Sequence, residues 1–596
     1  MKNVVRLVLL CLAVAMAMPA QDIDRQGPAI SPFRGMREVA AGIEVQIADD
    51  TWWSLQSIAG VDTPTLQREA IRLCGDRAWR RMNEDLPALL AAMGVKVGEA
   101  VDLVVQDLAT GERRELPAVP MTKENRERLR AANRGAQRPA ELPEPRAAKA
   151  TLTAENVRDD LAALRSLLDR QFAYRELRRV DLDALLRDAA KELGAGAVST
   201  ADFTRVVDRV LRAFGDGHSR VDGGAPRPDA FAPFLVQEAE GGHVVFQPDR
   251  RAFVDADRPF LVAIDGVPLA RWLDAARARG TQGSAAMQAR EAERGLRDVV
   301  TLRADLGLRA QRSVAITVRG PGGAREITLD LVRSRPTYGA WPNTSTRRLD
   351  GDLGYLRIDS MQDDKAFLAG LDAAMQSFRD TKGLVIDVRG NGGGTRDALR
   401  TLAPYFLPAK GAPVVGNVAA VLLDRGQAAA PDALADRGLY PLDWSGWSDE
   451  QRAAIRTFAR TWKPSWKLPA GKFSPWHFLV LDRTDNANAF VYDKKVVVLI
   501  DRACFSATDV FAAALGALPN VTLVGEATSG GSGRARGHVL PASGLRLQLS
   551  TMASFRPDGV LFEGNGVAPD VEQPTAPGDL IGAGDTVLAR AVALLR

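Results

Sequence analysis

The chain has 596 residues, 46% hydrophobic and 26% charged: enough apolar content to bury several cores and too much for wholesale disorder. Its 78 basic and 74 acidic side chains leave a net charge of +4, which excludes the basic footprint of a nucleic-acid-binding protein. Four histidines and three cysteines exclude a Cys/His zinc scaffold, a disulfide framework and an HExxH metalloprotease.

Lys2 and Arg6 precede an apolar run from Leu7 to Met16, with small residues at Ala15, Ala17 and Ala20. Residues 1–20 therefore read as a signal peptide, and the expected product is periplasmic or secreted. No other stretch reaches the ~18 apolar residues of a spanning helix. Residues 21–36 read as a linker and 37–118 as a mixed α/β module, with strands near 43–47, 53–58 and 101–105 and a helical stretch over 65–93. A second linker is expected over 119–152, rich in Arg, Glu, Ala and Pro.

Residues 153–222 form a helical segment. Val157, Leu161, Leu164, Leu168 and Phe172 recur every three to four residues. Ser199 and Asp202 open a second helix striped by Phe203, Val206, Val207, Val210, Leu211 and Phe214, with Gly215 to end it. Residues 225–335 read as a second β-rich module with strands at 260–264 and 313–318. An internal echo links the modules: Ile58-Ala59-Gly60-Val61 resembles Ile264-Asp265-Gly266-Val267, and both resemble the turn of PDZ peptide-binding modules.

From 336 to 596 the pattern is α/β. Leu384–Val388 and Val496–Ile500 are continuous apolar runs, as expected of strands covered on both faces, each followed by a turn and a helix. An insertion over about 410–490 carries five of the ten tryptophans (444, 447, 462, 466 and 476) and reads as a small core of its own or a lid.

Chemistry gathers in four segments. In Ala503-Cys504-Phe505-Ser506-Ala507-Thr508-Asp509 a buried strand turns into a helix, which sets the Ser506 hydroxyl at the mouth of the sheet and the Ala507 amide where an oxyanion could form. Serine is also a favoured helix N-cap, and that reading stays open for this segment alone. Arg389-Gly390-Asn391-Gly392-Gly393-Gly394 offers bare amides, from Gly392 or Gly393, for a second oxyanion donor; no P-loop Lys-Ser/Thr follows. Gly215-Asp216-Gly217-His218-Ser219 puts a histidine on a glycine-flanked loop, as a general base or an exposed imidazole, with His538 the main rival and His243 and His477 in less distinctive settings. Phe562-Glu563-Gly564-Asn565-Gly566-Val567 is a glycine-punctuated loop with one acid.

Together and in this order, these segments resemble the tail-specific (C-terminal processing) serine peptidases, tricorn-like branch, over about 153–596. The resemblance implies a ClpP/crotonase-like core of βαβ units, preceded by the helical segment and PDZ-like modules that take an extended peptide by strand addition. It implies Ser506 as nucleophile, His218 as general base, Glu563 as orienting acid, and an oxyanion hole from Ala507 with Gly392 or Gly393. It implies polypeptide substrates and neither metal nor cofactor. The family's Ser-Lys branch has a lysine where this chain has Gly531, and no lysine follows Ser506. The helper serine that precedes the histidine in the tricorn-like branch is Gly217 here, leaving the Glu563–His218 link direct or through water. Two other readings remain: an esterase, although no GxSxG elbow is present, and a non-catalytic peptide- or lipophilic-ligand-binding protein on the same scaffold.

Overall fold

The computed structural model describes residues 30–39, 42–49, 51–74, 78–108, 110–129, 150–222, 228–423, 430 and 432–596. The segment read as a signal peptide lies outside the described residues. Among the described residues, no helix is long and apolar enough to cross a membrane. The chain divides into two compact units, residues 1–144 and 145–596.

In the first unit, β1 (Gly35–Val39), β2 (Gly42–Gln46), β3 (Trp53–Ile58), β4 (Val61–Asp62), β5 (Ala100–Asp107) and β6 (Arg113–Pro120) form one sheet of order β1-β2-β3-β5-β6, with β4 pairing β3. Three helices, α1 (Thr63–Cys74), α2 (Ala78–Glu84) and α3 (Leu86–Ala92), replace the single helical stretch expected over 65–93. The start of α3 is set by Pro87, which suits a first helical turn and no helix interior. The linkers expected over 21–36 and 119–152 are shorter than their composition implies. Ile30 and Phe33 are buried in this unit's core, as are Val119, Met121 and Leu129, and Ser31 and Thr122 exchange backbone hydrogen bonds at 3.0 Å.

The second unit starts with β7 (Thr151–Leu152), then α4 (Ala154–Gln171), α5 (Leu182–Leu193), β8 (Val198–Ser199), α6 (Thr200–Arg212) and β9 (Arg220–Val221). Thr153 caps α4, and the Ser199 hydroxyl accepts from the Asp202 amide at 3.0 Å to cap α6. Gly215, at φ +69°, turns the chain out of α6 toward His218.

β10 (Leu235–Ala239), β11 (Gly242–Phe246), β12 (Phe260–Ile264), β13 (Val267–Pro268), β14 (Ser313–Gly320) and β15 (Gly323–Asp330) repeat the first unit's sheet: order β10-β11-β12-β14-β15, with β13 pairing β12. The echoed turns share a backbone form, with φ +49° and +79° at Ala59-Gly60 and +47° and +72° at Asp265-Gly266. Both are the doubly left-handed turn that matches strand twist in a two-residue hairpin. Helices α7 (Leu269–Arg279), α8 (Ala285–Gly295) and α9 (Val299–Asp305) cover this sheet. The outer edge of β10 is already capped. The Val236 amide donates to the Tyr338 hydroxyl, the Glu238 amide to the Glu293 carboxylate and the Glu240 amide to the Thr575 carbonyl. Strand addition, expected of this module, is therefore closed at β10 unless those caps move; β15, at the other edge, is largely exposed.

The core sheet has the order β16-β17-β18-β22-β23-β27, from β16 (Arg347–Leu349), β17 (Leu353–Arg357), β18 (Gly383–Asp387), β22 (Val496–Ile500), β23 (Val521–Gly525) and β27 (Val571–Glu572). All neighbours from β17 to β27 run parallel. One face packs on α10 (Lys365–Ser377), α11 (Asp397–Phe406) and α13 (Ala507–Gly516), the other on α14 (Thr586–Leu595), which is why β18 and β22 are apolar throughout. The tryptophan-rich segment supplies β19 (Val414–Val421), β20 (Tyr440–Pro441), α12 (Asp449–Thr461) and β21 (His477–Leu481), in a sheet completed by β26 (Met552–Phe555). Trp444 and Trp447 pack in that core, whereas Trp462, Trp466 and Trp476 reach the helical segment's cluster. A third sheet, β24 (Ala535–Val539), β25 (Arg546–Ser550) and β9, ties the loop carrying His218 to the far end of the chain through Val221↔Leu547 and Arg220↔Gln548.

The Asp265 turn carries a buried ion pair: Arg303 donates to both Asp265 carboxylate oxygens at 2.8 and 3.0 Å, and the Ala315 amide adds a third bond at 3.1 Å. Asp265→Ala strands a buried guanidinium and is expected to cost about 3 kcal/mol. A urea unfolding midpoint unchanged from wild type would contradict that account.

Candidate active site

The loops that matter leave the carboxyl ends of adjacent parallel strands, where the crevice of an α/β sheet opens. β22 ends at Ile500, and the Asp501 carboxylate immediately gathers the Gly390, Ala503 and Cys504 amides at 3.0 to 3.1 Å. The chain then reaches Ser506 with φ +62° and ψ −118°, a conformation that costs a non-glycine residue about 1–3 kcal/mol. Ser506 occupies the N-cap position of α13, yet its hydroxyl makes no capping bond. It faces His218 instead, with Oγ 3.0 Å from Nε2. A serine kept only as a cap would bond the helix amides.

His218 is held on three sides. Its amide donates to Asp216 Oδ1 at 3.0 Å, while Asp216 also accepts from the Ser219 hydroxyl, which in turn takes the Ser550 amide of β25 at 3.1 Å. The Phe505 ring stacks on the imidazole, with centroids 4.6 Å apart and 26° between planes. Burial is the main cause that pushes the imidazole down to about 4; the Asp216 charge opposes it, and Arg437 and Arg220 reinforce it. The ring is thus a neutral acceptor at ordinary pH.

Glu563 lies beside this loop, buried, with Oε1 taking the Gly217 amide at 3.4 Å and Oε2 without a hydrogen-bond partner among the described residues. His218 Nδ1 has none either. A ring nitrogen of His218 and one oxygen each of Asp216 and Glu563 all lie within 4.8 Å of one another. No direct Glu563–His218 hydrogen bond forms. Burial first, then the Asp216 charge, holds the Glu563 carboxyl well above the usual carboxylate range.

Two glycines stand where the resemblance leads one to expect a serine, at 217, or, in its Ser-Lys branch, a lysine, at 531. A Cβ on Gly217 would lie 2.7 Å from Phe505 Cζ, and one on Gly531 would lie 2.5 Å from Phe505 Cε2. The Phe505 ring fills the room that a serine at 217 or a lysine at 531 would need.

The glycine loop after β18 lies against Ser506. A Cβ on Gly393 would sit 2.7 Å from Ser506 Cβ and 3.0 Å from the Ala507 nitrogen, at φ +103°. The Gly393 amide is engaged, donating to Asn391 Oδ1 at 2.9 Å. Of the two glycines considered for an oxyanion donor, this leaves Gly392, with Ala507, as the amides for which no acceptor is found among the described residues. Asn391 was not anticipated. It is buried, its Oδ1 also accepts from the Thr508 hydroxyl at 2.8 Å, its Nδ2 donates to the Ile358 carbonyl, and its own carbonyl takes the Phe505 amide. Asn391 thereby fastens the glycine loop to the first turn of α13. Asp509, pushed up to about 7 by burial, holds Thr528 and Gly530 of the next loop.

The other histidines stand apart from the hydroxyl. His538 sits on β24 opposite Leu547, His477 contacts Ser474 and Pro475, and His243 neighbours Glu293. Cys504 is a buried free thiol, donating to the Val388 carbonyl.

Residues 352–573 match the sequence profile of peptidase family S41. Among solved structures the chain is similar to mature CPAF, at 20% identity and a TM-score of 0.52 over 74% of this chain and 96% of that one. A CPAF mutant gives 19% identity and a TM-score of 0.54, with the same shares covered. At these identities the likeness concerns the fold. No curated protein matches.

If Phe505 and a side chain at 217 compete for one space, Gly217→Ser lowers the rate of reaction with a fluorophosphonate probe, and adding Phe505→Ala recovers part of the loss. Additive losses in the double variant would refute the competition.

Proposed function

We propose, from the match of residues 352–573 to peptidase family S41, a family of serine-type hydrolases, that this chain is an exported serine endopeptidase of the tail-specific, tricorn-like kind, with a ClpP/crotonase-like core and PDZ-like modules. Ser506 is the nucleophile, His218 the general base and Glu563 the orienting acid. The observation that carries the reading is the 3.0 Å approach of Ser506 Oγ to His218 Nε2, made between residues 288 positions apart in the chain.

The chemistry follows from the protonation state. A neutral imidazole accepts the Ser506 proton at Nε2 as Oγ adds to the peptide carbonyl. The Ala507 and Gly392 amides receive the developing oxyanion, each worth about 3–4 kcal/mol in the transition state. Nε2–H then passes the proton to the leaving amine as the C–N bond breaks. Water, deprotonated by the same nitrogen, hydrolyses the acyl ester.

Acceptance at Nε2 leaves the other ring proton on Nδ1, and the two partnerless atoms there, Nδ1 and Glu563 Oε2, favour a bridging water over direct contact. The imidazolium formed during reaction adds to the Arg178 charge already acting on the buried Glu563 carboxyl, which draws that carboxyl toward its ionised form.

Ser506→Ala and His218→Ala are each expected to lower kcat on a peptide substrate by on the order of 10⁴-fold or more, with His538→Ala near wild type. A base displaced to position 538 would reverse the two histidine results. Because burial lowers the His218 pKa, the base-competent neutral form persists as pH falls through the usual histidine range of about 6.5 and is lost only toward about 4. The acid limb of kcat/KM should therefore lie well below 6.5, and a limb at 6.5 or above contradicts the buried-base account. Ester turnover without peptide turnover would favour the esterase reading, and no fluorophosphonate labelling of folded protein would favour a binding protein.

A further inference from the structure

One group of charges near the site has no use in the chemistry above. Arg396 begins the turn into α11, two residues past Gly394, and is buried. Its guanidinium donates to the Arg437 carbonyl at 3.0 Å and to the Ser532 hydroxyl at 3.2 Å, and its Nε has no partner. Among the described residues, no carboxylate forms an ion pair with it. Arg437 comes from the tryptophan-rich insertion, on a 3₁₀ turn over Ala435–Arg437. Arg534 completes the group. Among the described residues Asp436 is the only acid paired with it, divided between Arg534 Nε at 3.0 Å and Arg437 Nε at 3.7 Å, and Arg534 Nη1 is buried without a hydrogen-bond partner there.

This group borders the reacting pair. Ser532, which takes the Arg396 bond, precedes Gly533, where a Cβ would lie 3.3 Å from His218 Nδ1. The Arg437 charge acts on the His218 ring, as does that of Arg220. The acids nearest the ring, Asp216 and Glu563, are engaged by the His218 loop: Asp216 by the His218 amide and the Ser219 hydroxyl, Glu563 by the Gly217 amide.

Burying a guanidinium without a carboxylate is expensive, and the expense is offset when an anionic ligand completes the group. The oxyanion already has its donors in Ala507 and Gly392. We propose that Arg396, Arg437 and Arg534 form a subsite for a carboxylate side chain of the polypeptide substrate, so that cleavage favours a chain carrying Asp or Glu at one position near the cut bond. Partnerless N–H groups beside a hydroxyl and a carbonyl suit a charge-assisted, forked contact to a carboxylate. Burial first, then the Arg437 charge, pushes the Arg396 guanidinium down to about 9 against the opposing Asp436 charge, and a bound carboxylate would raise it again. This inference rests on the peptidase reading.

The test compares fluorogenic peptides identical except for Glu or Gln at one of the positions flanking the cut, each made with a free and an amidated C-terminus. For the wild type, kcat/KM is expected to favour the carboxylate by about tenfold or more at one position, and the advantage should shrink in high salt. An advantage at an internal position, seen with either terminus, assigns the group to a side chain; one seen only with the free terminus overturns the inference. The ratio, rather than the rate, is read in variants, so a general loss of activity does not count. Arg396→Gln and the more exposed Arg437→Gln should each bring it toward one, and Arg437→Glu should favour Lys over Glu. Equal turnover of all pairs by the wild type overturns the inference, as does a ratio that survives both glutamine variants. Failure of the peptidase reading looks different: no peptide of any kind is cut, and the subsite falls with it.

Discussion

The parallel pairing of β18 with β22, in register from Leu384↔Val496 to Asp387↔Leu499, brings the glycine loop and the Ser506 turn out of the sheet side by side. Everything chemical in the second unit is built on that adjacency. It is reinforced by two polar side chains that cross between the loops: Asp501 reaches back to the Gly390 amide, and the buried Asn391 reaches across to Thr508. Gly393 then lies so close to Ser506 that only a residue without a Cβ fits. The positive φ at Ser506 is tolerated because the turn is bonded on both sides, which is how an over-determined structure retains local strain.

Much of this architecture could be read from residue patterns. Continuous apolar strands, the Ser199 cap with its stripe of apolar residues, and the two hairpin turns each rest on local rules, and local rules leave marks in sequence. The candidate segments stood out for a different reason: a run of glycines after a buried strand, as at 392–394, has few structural explanations. What stayed hidden depends on distant packing. Asn391 reads as an ordinary turn residue until Thr508 and Ile358 are seen around it. Phe505 reads as a core residue until its ring is found on His218. Composition made linkers of Ile30, Phe33 and Met121, although a few apolar side chains among polar neighbours are enough to anchor a segment. The single helix expected over 65–93 missed the boundary that Pro87 marks.

The electrostatics of the site follow from burial more than from pairing. Desolvation is the leading influence on His218, Glu563 and Asp509 alike, and it moves all three away from their charged forms. These three groups therefore rest near their neutral forms, while the charges acting on them come from Asp216 and the surrounding arginines. A side chain at 217 that bonded both His218 and Glu563 would lessen that tendency; Phe505, being apolar, deepens it.

The position of the base along the chain has a consequence for biogenesis. His218 stands on a loop that β9 fastens to β25, more than 300 residues downstream, and its ring meets a hydroxyl on a helix of the other cluster. An emerging chain therefore carries His218 long before residues 546–550 arrive to capture its loop, whereas Ser506 appears only shortly before them. Long-range pairing of this sort forms late. The pairing of imidazole and hydroxyl is thus a property of the finished fold, owned by no single stretch of chain.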